Sequence, residues 1–109
     1  MLQRQHRLPA QIKITHSLFY RTDLFVLKVA KNNLPESRYG FLVRKAVEKR
    51  ATKRNRIRRR FRACVEESLE KITGGHDMLF MLEKGIIEKQ KAELQEELML
   101  FFEKKNLLK

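Results

Sequence analysis

The sequence predicts an α+β fold, a small single-domain α/β sandwich with one mixed sheet and helices on one sheet face. The chain has 109 residues, which is enough for one domain with one modest core. Three short apolar runs have the period of β-strands, and two longer stretches have the period of amphipathic helices. Their order is strand, strand, helix, strand, helix, which is typical of helices packed against a sheet. We therefore treat residues 1–109 as one domain.

The chain begins with a basic segment, residues 1–22, in which the apolar pattern is brief. Pro9 is expected to open a short helix that continues through Ile12 and Ile14, because proline is favoured in the first turn of a helix. No strand is predicted in this segment.

Two strands follow, and each alternates between a core face and an open face. Leu24–Ala30 is rich in Val, Leu and Phe and ends at a turn with two Asn and a Pro, and Tyr39–Val43 is the second strand. Alternation with period two defines both faces. The predicted core set is Phe25, Leu27, Val29, Tyr39, Phe41 and Val43. The opposite set, part apolar and part basic, is Leu24, Val26, Lys28, Leu42 and Arg44.

A long amphipathic helix is predicted over residues 52–72, where the apolar period changes to that of a helix. Gly74 and Gly75 end it as a C-terminal cap. Its apolar stripe, centred near Phe61, comprises Ile57, Phe61, Cys64, Ser68 and Ile72, with Val65 and Leu69 beside it.

The third strand and the last helix complete the predicted fold. The strand is His76–Leu82, and Gly85 interrupts the chain after it. The helix runs from about Glu88 to Lys105. Its apolar face carries Leu94, Leu98, Phe101 and Phe102, and its outer face carries Glu93, Glu96, Glu97 and Lys104.

Positive charge is concentrated in the first part of the chain. The formal net charge is +12, and residues 1–62 hold 18 Lys and Arg against 3 acids, whereas residues 63–109 hold 7 against 10. An imbalance of this size indicates a polyanionic partner.

Composition also restricts the compartment in which we expect the protein. A single cysteine, Cys64, excludes an intramolecular disulfide and a multi-cysteine zinc site, which favours a reducing, cytoplasmic location. No apolar run approaches the roughly 20 residues of a membrane span, and the N-terminus lacks the apolar segment of a signal peptide. A membrane or exported protein is therefore not expected.

The run of residues 49–62 reverses the usual order of charges on a helix. It holds seven Arg and two Lys, and the acids Glu66, Glu67 and Glu70 come later, although a helix start favours acids and a helix end favours bases. An anion bound at the start would offset this, and the excess of Arg favours bidentate phosphate contacts. A solvated surface is the alternative, but the charge density favours nucleic acid, with RNA ahead of DNA.

The helical wheel orders the side chains of this run by their distance from the apolar stripe. Asn55, Arg59 and Arg62 point furthest outward, and Arg56 and Arg58 lie on the flanks. Asn55 adds an uncharged donor and acceptor, which suit hydrogen bonds to ribose or to base edges.

Five segments occur in an order that is specific to one family. They are LFVL (24–27), GFLVRKAV (40–47), ATKRNRIRRRFR (51–62), GGHDMLFML (74–82) and KAELQEELMLFFEKKNLL (91–108). In this arrangement the sequence resembles the protein subunit of bacterial ribonuclease P. The R-N-R core followed by basic residues is the most specific part of the resemblance.

The resemblance implies a ribonucleoprotein endonuclease that removes the 5′ leader from precursor tRNA. Its partners would be ribonuclease P RNA and precursor tRNA, with no membrane partner. Catalysis in the family belongs to the RNA and its bound Mg²⁺, so no cofactor is expected on protein side chains alone. The implied fold is ribosomal-protein-S5-domain-2-like, with a left-handed βαβ crossover that departs from the general rule.

The resemblance also implies two sets of binding residues and no catalytic residue in the protein. Contact with the catalytic RNA is carried over to Arg54, Asn55, Arg56, Arg58, Arg59 and Arg62, with Lys45, Lys49 and Lys53 beside them. Binding of the leader in a cleft on the open sheet face is carried over to Val26, Lys28, Leu42, Arg44 and Tyr20.

The chain departs from the family pattern at three places. The family's N-terminal helix carries two Phe that face the cleft, whereas this chain has only Ile12, Ile14, Phe19 and Tyr20 there, which do not align with them. The family's Ser-Lys-Lys segment is Arg44-Lys45-Ala46 here. Lys28 stands where many members carry an aromatic residue, which implies phosphate attraction in place of base stacking at that position.

Other functions are less favoured by the residues. A structural RNA-binding protein, such as a small ribosomal protein, needs the same phosphate contacts and remains the alternative. A self-sufficient nuclease would need clustered acids or histidines in the basic part, where the only acids are Asp23, Glu36 and Glu48. The remaining titratable groups, His6, His16, His76, Cys64, Asp77 and Glu83, show no metal-ligand spacing and no catalytic arrangement.

Overall fold

The structure is a computed structural model that describes residues 2–9, 14 and 17–109. Four strands form one sheet: β1 Leu18–Arg21, β2 Phe25–Lys31, β3 Arg38–Val43 and β4 His76–Leu82. The two α-helices are α1 Ala51–Glu67 and α2 Lys91–Lys104. Short 3₁₀ helices occur at Arg4–His6, Leu69–Lys71 and Lys84–Ile86.

The sheet is mixed, and its order in space is β1, β2, β4, β3. β2 pairs antiparallel with β1 and β4, whereas β3 pairs parallel with β4. Parallel neighbours need a long crossover connection, and α1 provides the one between β3 and β4. The predicted α+β class with one mixed sheet is confirmed.

An aromatic cluster holds both helices on the same sheet face. Phe80 of β4 contacts Phe61 of α1 and Phe102 of α2, with ring centroids 5.1 and 6.3 Å apart. Phe25 of β2 also touches Phe61 and Phe101. Because the same strand residues meet both helices, α1 and α2 lie on one sheet face, and no α-helix of the described residues lies on the opposite face.

The predicted core set is confirmed by burial, with one correction. Its members are buried, apart from Phe41, which is half-buried and packs against the cluster. Leu24 was predicted for the open face but is buried in the core. It lies in the turn before β2, where strand alternation does not apply.

Strand β1, which the sequence pattern did not predict, forms a hairpin with β2. Thr22 Oγ1 accepts hydrogen bonds from the backbone N–H groups of Leu24 and Phe25, each at 3.1 Å. The Thr22 N–H donates to the Phe25 carbonyl at 2.8 Å. This tight turn brings Leu18–Arg21 alongside β2 and adds an edge strand of four residues.

Both predicted helices form, although they are shorter than predicted. α1 ends at Glu67 and is followed by a 3₁₀ turn, while its apolar stripe is buried as predicted. α2 begins at Lys91 because Gln90 forms a capping box with Glu93.

The N-terminal segment lies along the edge of the sheet. Leu2 is buried, and the Leu8 N–H donates to the Tyr39 carbonyl of β3 at 3.0 Å. The short helix that was predicted from Pro9 through Ile12 and Ile14 falls largely on residues outside the described part of the chain.

One buried carboxylate ties strands β3 and β4 together at the end where both begin. Asp77 accepts hydrogen bonds from Arg38 Nε at 2.8 Å, Arg38 Nη2 at 2.7 Å and Asn32 Nδ2 at 3.0 Å. Burial alone would raise the pKa of the Asp77 carboxyl, but the hydrogen bonds from Arg38 and Asn32 outweigh it and hold this pKa below its usual value. The ionised form is therefore part of the folded structure.

Asp77→Asn is expected to lower the free energy of unfolding by about 2 kcal/mol at pH 7, the range for hydrogen bonds to a charged group. Because the pKa of Asp77 is lower in the folded state, the ionised carboxylate stabilises the fold at pH values above its unfolded pKa of about 3.9. This stabilisation is lost as the pH falls through the lower, folded pKa. The difference from wild type should therefore persist down to about pH 5 and shrink below about pH 4. Urea unfolding at several pH values measures it. Glu88→Gln, at an exposed position, is the control, and an equal loss in both variants would contradict the prediction.

Candidate nucleic-acid interface

The start of α1 has the charge order that the sequence predicts. Its first turn contains no acid, its last turn contains no base, and the N-cap residue Arg50 makes no side-chain capping hydrogen bond. The first backbone N–H groups of a helix have no partner within it, and they carry the positive end of its dipole. This end of α1 therefore favours a bound anion.

Most of the predicted RNA-contacting side chains on α1 are accessible. Lys53, Asn55, Arg56 and Arg59 are exposed, while Arg58 and Arg62 are half-buried. Arg58 donates to the Asn55 side-chain oxygen one turn away, which orients the amide. Within the described chain, none of these cations forms an ion pair, so their charge is available to a partner.

Two arginines of the same run have mainly structural contacts. Arg54 Nη1 donates to the carbonyls of Glu48 and Lys49, at 3.0 and 2.8 Å, and so braces the turn before α1. Arg60, which sequence analysis did not assign to the site, donates to the Lys89 carbonyl at 2.7 Å and thereby ties α1 to the segment before α2. Arg54 is thus positioned by the fold more firmly than its neighbours on α1.

The loop between β3 and α1 extends the basic surface. Lys45 and Lys49 are exposed. Arg44 donates to Glu83 at 3.1 Å, but its side chain remains 57% exposed. The loop thus connects the basic start of α1 with the end of β3.

The sheet face opposite the helices, hereafter the open face, carries the other predicted set. Cross-strand partners share a face, so the register places Val26 of β2 beside Met81 of β4 and Leu42 of β3. In the next row, Lys28 lies beside Leu79 and Gly40. The predicted residues Val26, Lys28 and Leu42 therefore lie on one surface.

Strand β1 adds two residues to the open face that sequence analysis did not assign. Phe19 pairs with Lys28, and Arg21 pairs with Val26. The Phe19 ring is 62% exposed, and Lys28 Nζ lies 5.2 Å from its centroid. The open face therefore has an exposed aromatic ring although position 28 is a lysine. The turn at Thr22 is the sequence signal that could have revealed strand β1 and hence the position of Phe19.

Tyr20 is a correction to the predicted set for the leader cleft. Its neighbours in the register place it on the helix side of the sheet, paired with Leu27. Its ring packs edge-on against Phe101 of α2, at 5.7 Å, and Lys105 Nζ lies over it. The structure does not bring Tyr20 together with Val26, Lys28 and Leu42, because alternation along β1 sends it to the other face.

A shallow groove joins the open face to the loop before α1. Its lining includes Arg21, Val26, Arg44 and Lys84, together with the acids Asp23 and Glu83. At the β3 side, the Leu8 side chain packs above Gly40, where an added Cβ would lie 3.1 Å from it. Leu8 thus borders the open face beside β3.

The other titratable groups that the sequence singled out lie apart from one another in the described structure. Asp77 and Glu83 lie at opposite ends of β4, and each is paired with an arginine. In the described ranges, no group of three or more His, Cys, Asp and Glu side chains could hold a metal ion. Cys64 is buried in the core, and burial raises the pKa of its thiol.

No helix in the described part of the chain has the length and apolar character needed to span a membrane. Several exposed cations without an acidic partner among the described residues lie on α1, close to an open sheet face that carries an exposed aromatic ring. A small α+β domain with this surface belongs to the class of nucleic-acid-binding proteins.

Comparison with models of known families matches residues 3–106 to Ribonuclease P. The chain therefore belongs to the Ribonuclease P family. A similar protein is the ribonuclease P protein component of Microcystis aeruginosa (strain NIES-843 / IAM M-2473), which is 33% identical over 72 residues. The aligned stretch covers 66% of this chain and 60% of that relative.

Solved structures with the same fold come from two further organisms. The RNase P protein of Staphylococcus aureus superposes with a TM-score of 0.72 at 18% identity, covering 85% of this chain and 84% of that one. The RNase P protein of Thermotoga maritima, in complex with 1-(4-fluorophenyl)-2-thiourea, superposes with a TM-score of 0.70 at 24% identity, covering 79% and 83%. At these identities the superpositions show the fold.

Arg54→Ala is expected to lower the free energy of unfolding by about 1 kcal/mol, because two backbone carbonyls lose their donor. Arg59→Ala should stay within about 0.5 kcal/mol of wild type, as is usual for an exposed position. Thermal or urea unfolding of the two variants in parallel measures this difference. Equal stability would show that Arg54 does not brace the turn before α1.

Proposed function

We propose that the protein is the RNA-binding subunit of ribonuclease P, which assists a catalytic RNA in removing the 5′ leader from precursor tRNA. The main support for this proposal is that the chain belongs to this family and has two accessible surfaces close together, the basic start of α1 and the open face. The basic start of α1 and the open face meet through the loop of Arg44, Lys45 and Lys49. One surface suits a structured RNA backbone, and the other suits a single strand.

The start of α1 is the proposed contact with the catalytic RNA. Exposed guanidinium groups can form bidentate hydrogen bonds to phosphates, and Asn55 can reach a ribose or a base edge. Arg59 and Arg56 have no competing acid among the described residues. Bound there, the protein would stabilise the active conformation of the RNA and its Mg²⁺ by neutralising phosphates.

The open face is the proposed contact with the leader. Leu42 is 44% exposed and offers apolar surface, while Lys28 and Arg44 offer charge for phosphates. Val26 lies on the same face but is only 6% exposed, so it supports this surface more than it contacts a partner. Phe19 provides a ring on which a base can stack, so stacking and phosphate attraction are available side by side. Tyr20, on the other side of the sheet, is not part of this proposed contact.

Catalysis itself is assigned to the RNA. In this proposal Mg²⁺ is held mainly by RNA, and the protein supplies binding and charge neutralisation. The cytoplasm, where precursor tRNA is made and matured in a bacterium, is the proposed location.

Arg59→Ala and Arg62→Ala are each expected to weaken RNA binding and to flatten its dependence on salt. Each lost phosphate contact should reduce the slope of log K against log salt concentration by roughly 0.7 to 0.9. Fluorescence anisotropy with a bacterial ribonuclease P RNA between low and moderate KCl measures the slope. Lys71→Ala removes one exposed charge beyond α1 and is the control. Unchanged slopes in both arginine variants would remove α1 from the interface.

The function is tested by cleavage of precursor tRNAs with leaders of several lengths at low Mg²⁺, with ribonuclease P RNA alone and with the protein added. The proposal expects the protein to restore cleavage and to tighten binding once several leader nucleotides are present. Tight RNA binding without restored cleavage would favour the alternative, a structural RNA-binding protein.

Phe19→Ala should lower the leader-dependent part of substrate affinity by about 5- to 30-fold, as expected for loss of one stacked base. Leu18→Ala is a matched control, because Leu18 is the adjacent residue, is similarly exposed at 63%, and faces the other side of the sheet. Affinity for a substrate without a leader should not change in either variant. Equal effects of the two substitutions would exclude Phe19 as a stacking surface.

A further inference from the structure

Three arginines gather at the end of the sheet that lies away from the start of α1. Arg4, Arg7 and Arg38 line one concavity together with Leu34, Pro35 and Glu36, hereafter the arginine concavity. It lies where β3 begins, whereas the loop to α1 leaves from the other end of β3, about 17 Å along the strand. The arginine concavity is therefore separate from the surface described above.

The N-terminal wall of the arginine concavity is fixed to the sheet. Leu2 is 3% exposed and belongs to the core. The backbone of Arg7 forms an isolated parallel β-bridge with Tyr39, and the Arg7 Nε donates to the Leu2 carbonyl at 2.9 Å. The His6 ring makes a hydrogen bond to the Ser37 carbonyl at 3.0 Å. These contacts hold Arg4 and Arg7 beside β3.

The opposite wall is a braced loop. The Asn32 side chain accepts a hydrogen bond from the Leu34 N–H at 2.8 Å and donates to the Glu36 carbonyl at 3.0 Å. Gly74 packs so closely that an added Cβ would lie 2.5 Å from the Pro35 carbonyl oxygen. Leu34 is nevertheless 44% exposed, so this wall presents a fixed apolar surface next to the arginines.

The charges of the arginine concavity favour an anion. Arg4 and Arg7 form no ion pair with any acid in the described ranges. Arg38 uses Nε and Nη2 to hold Asp77, which leaves its Nη1 outside that pair. Glu36 is the acid in the lining, and it lies 3.7 Å from His6. The concavity therefore holds two guanidinium groups without an ion pair among the described residues, against one carboxylate, that of Glu36, which lies near His6.

We propose that the arginine concavity binds the phosphate backbone of a second RNA segment, so that the protein bridges two RNA segments from opposite ends of its sheet. Arg4 and Arg7 contact phosphates, and Leu34 and Pro35 pack against ribose or base. The choice of RNA as the polyanion rests on the proposed function. The phosphates can belong to the catalytic RNA or to precursor tRNA, which share this chemistry.

The test compares two double variants that remove the same charge. Arg4→Gln with Arg7→Gln alters the arginine concavity, and Lys71→Gln with Lys109→Gln removes two exposed charges outside it. Affinity is measured against KCl concentration in two arms: protein with ribonuclease P RNA, and preformed holoenzyme with precursor tRNA. The arm that responds identifies the source of the phosphates.

The arginine double variant should reduce the salt slope by about 1.5 in one arm, since each phosphate contact contributes roughly 0.7 to 0.9. The lysine double variant should leave it within about 0.3 of wild type. Arg4→Gln alone should cause about half of this reduction in slope. The Arg4 side chain makes no hydrogen bond described for the fold, whereas Arg7 donates to the Leu2 carbonyl. The single variant therefore distinguishes lost RNA binding from a structural effect of replacing Arg7. Equal slopes for the arginine and lysine variants in both arms would overturn the proposal.

Failure of this inference differs from failure of the proposed function. If the leader-length experiment succeeds while the arginine variants behave as the lysine control, the protein contacts RNA at α1 and the open face alone. If the arginine variants lose salt dependence while the protein restores no cleavage, the arginine concavity is an RNA-binding surface of a structural protein.

Discussion

The contact of both helices with one face of the sheet through Phe25, Phe61 and Phe80 determines which surfaces the protein can offer to a partner. Phe61 comes from the middle of α1 and meets both strand residues, at 5.7 and 5.1 Å. Burying this side of α1 turns its basic side outward. Because α2 packs on the same face, neither α1 nor α2 covers the opposite face. The core and the two accessible surfaces therefore have one common cause.

The core also has to offset the repulsion among the cations at the start of α1. Like charges in one helical turn oppose the helix dipole there, and each unfavourable placement is worth roughly 0.3 to 1 kcal/mol. Burial of an aliphatic or aromatic side chain contributes about 1.5 to 3 kcal/mol, and Ile57, Phe61, Cys64 and Val65 are all buried from α1. Apolar burial can therefore stabilise α1 when no anion is bound at its start.

Strong periodicity made most of the fold predictable, whereas short or locally stabilised elements were not. Phe25, Leu27 and Val29 alternate clearly, and the α1 stripe repeats at helical spacing, so both were assigned to the core. β1 has four residues, and its pairing depends on a side-chain turn at Thr22 that no periodicity reveals. Tyr20 was misplaced and Phe19 was missed for this one reason. The helical wheel correctly predicted the exposure of Asn55 and Arg59, but Arg62, which it placed furthest outward, is half-buried. The bracing role of Arg54 needed coordinates.

Two groups of cations, at the start of α1 and in the arginine concavity, lie at opposite ends of β3 in a protein with a net charge of +12. Charges that lie well apart in water, beyond a Debye length of about 8 Å, repel one another little at physiological salt. Placing Arg4 and Arg7 at the beginning of β3, away from α1, limits repulsion in the free protein. In the proposed complex, an RNA bound at either end would neutralise the local charge, and binding to the folded state alone would add to its stability. Separation of the cations would then serve both folding of the free protein and the proposed contact with RNA.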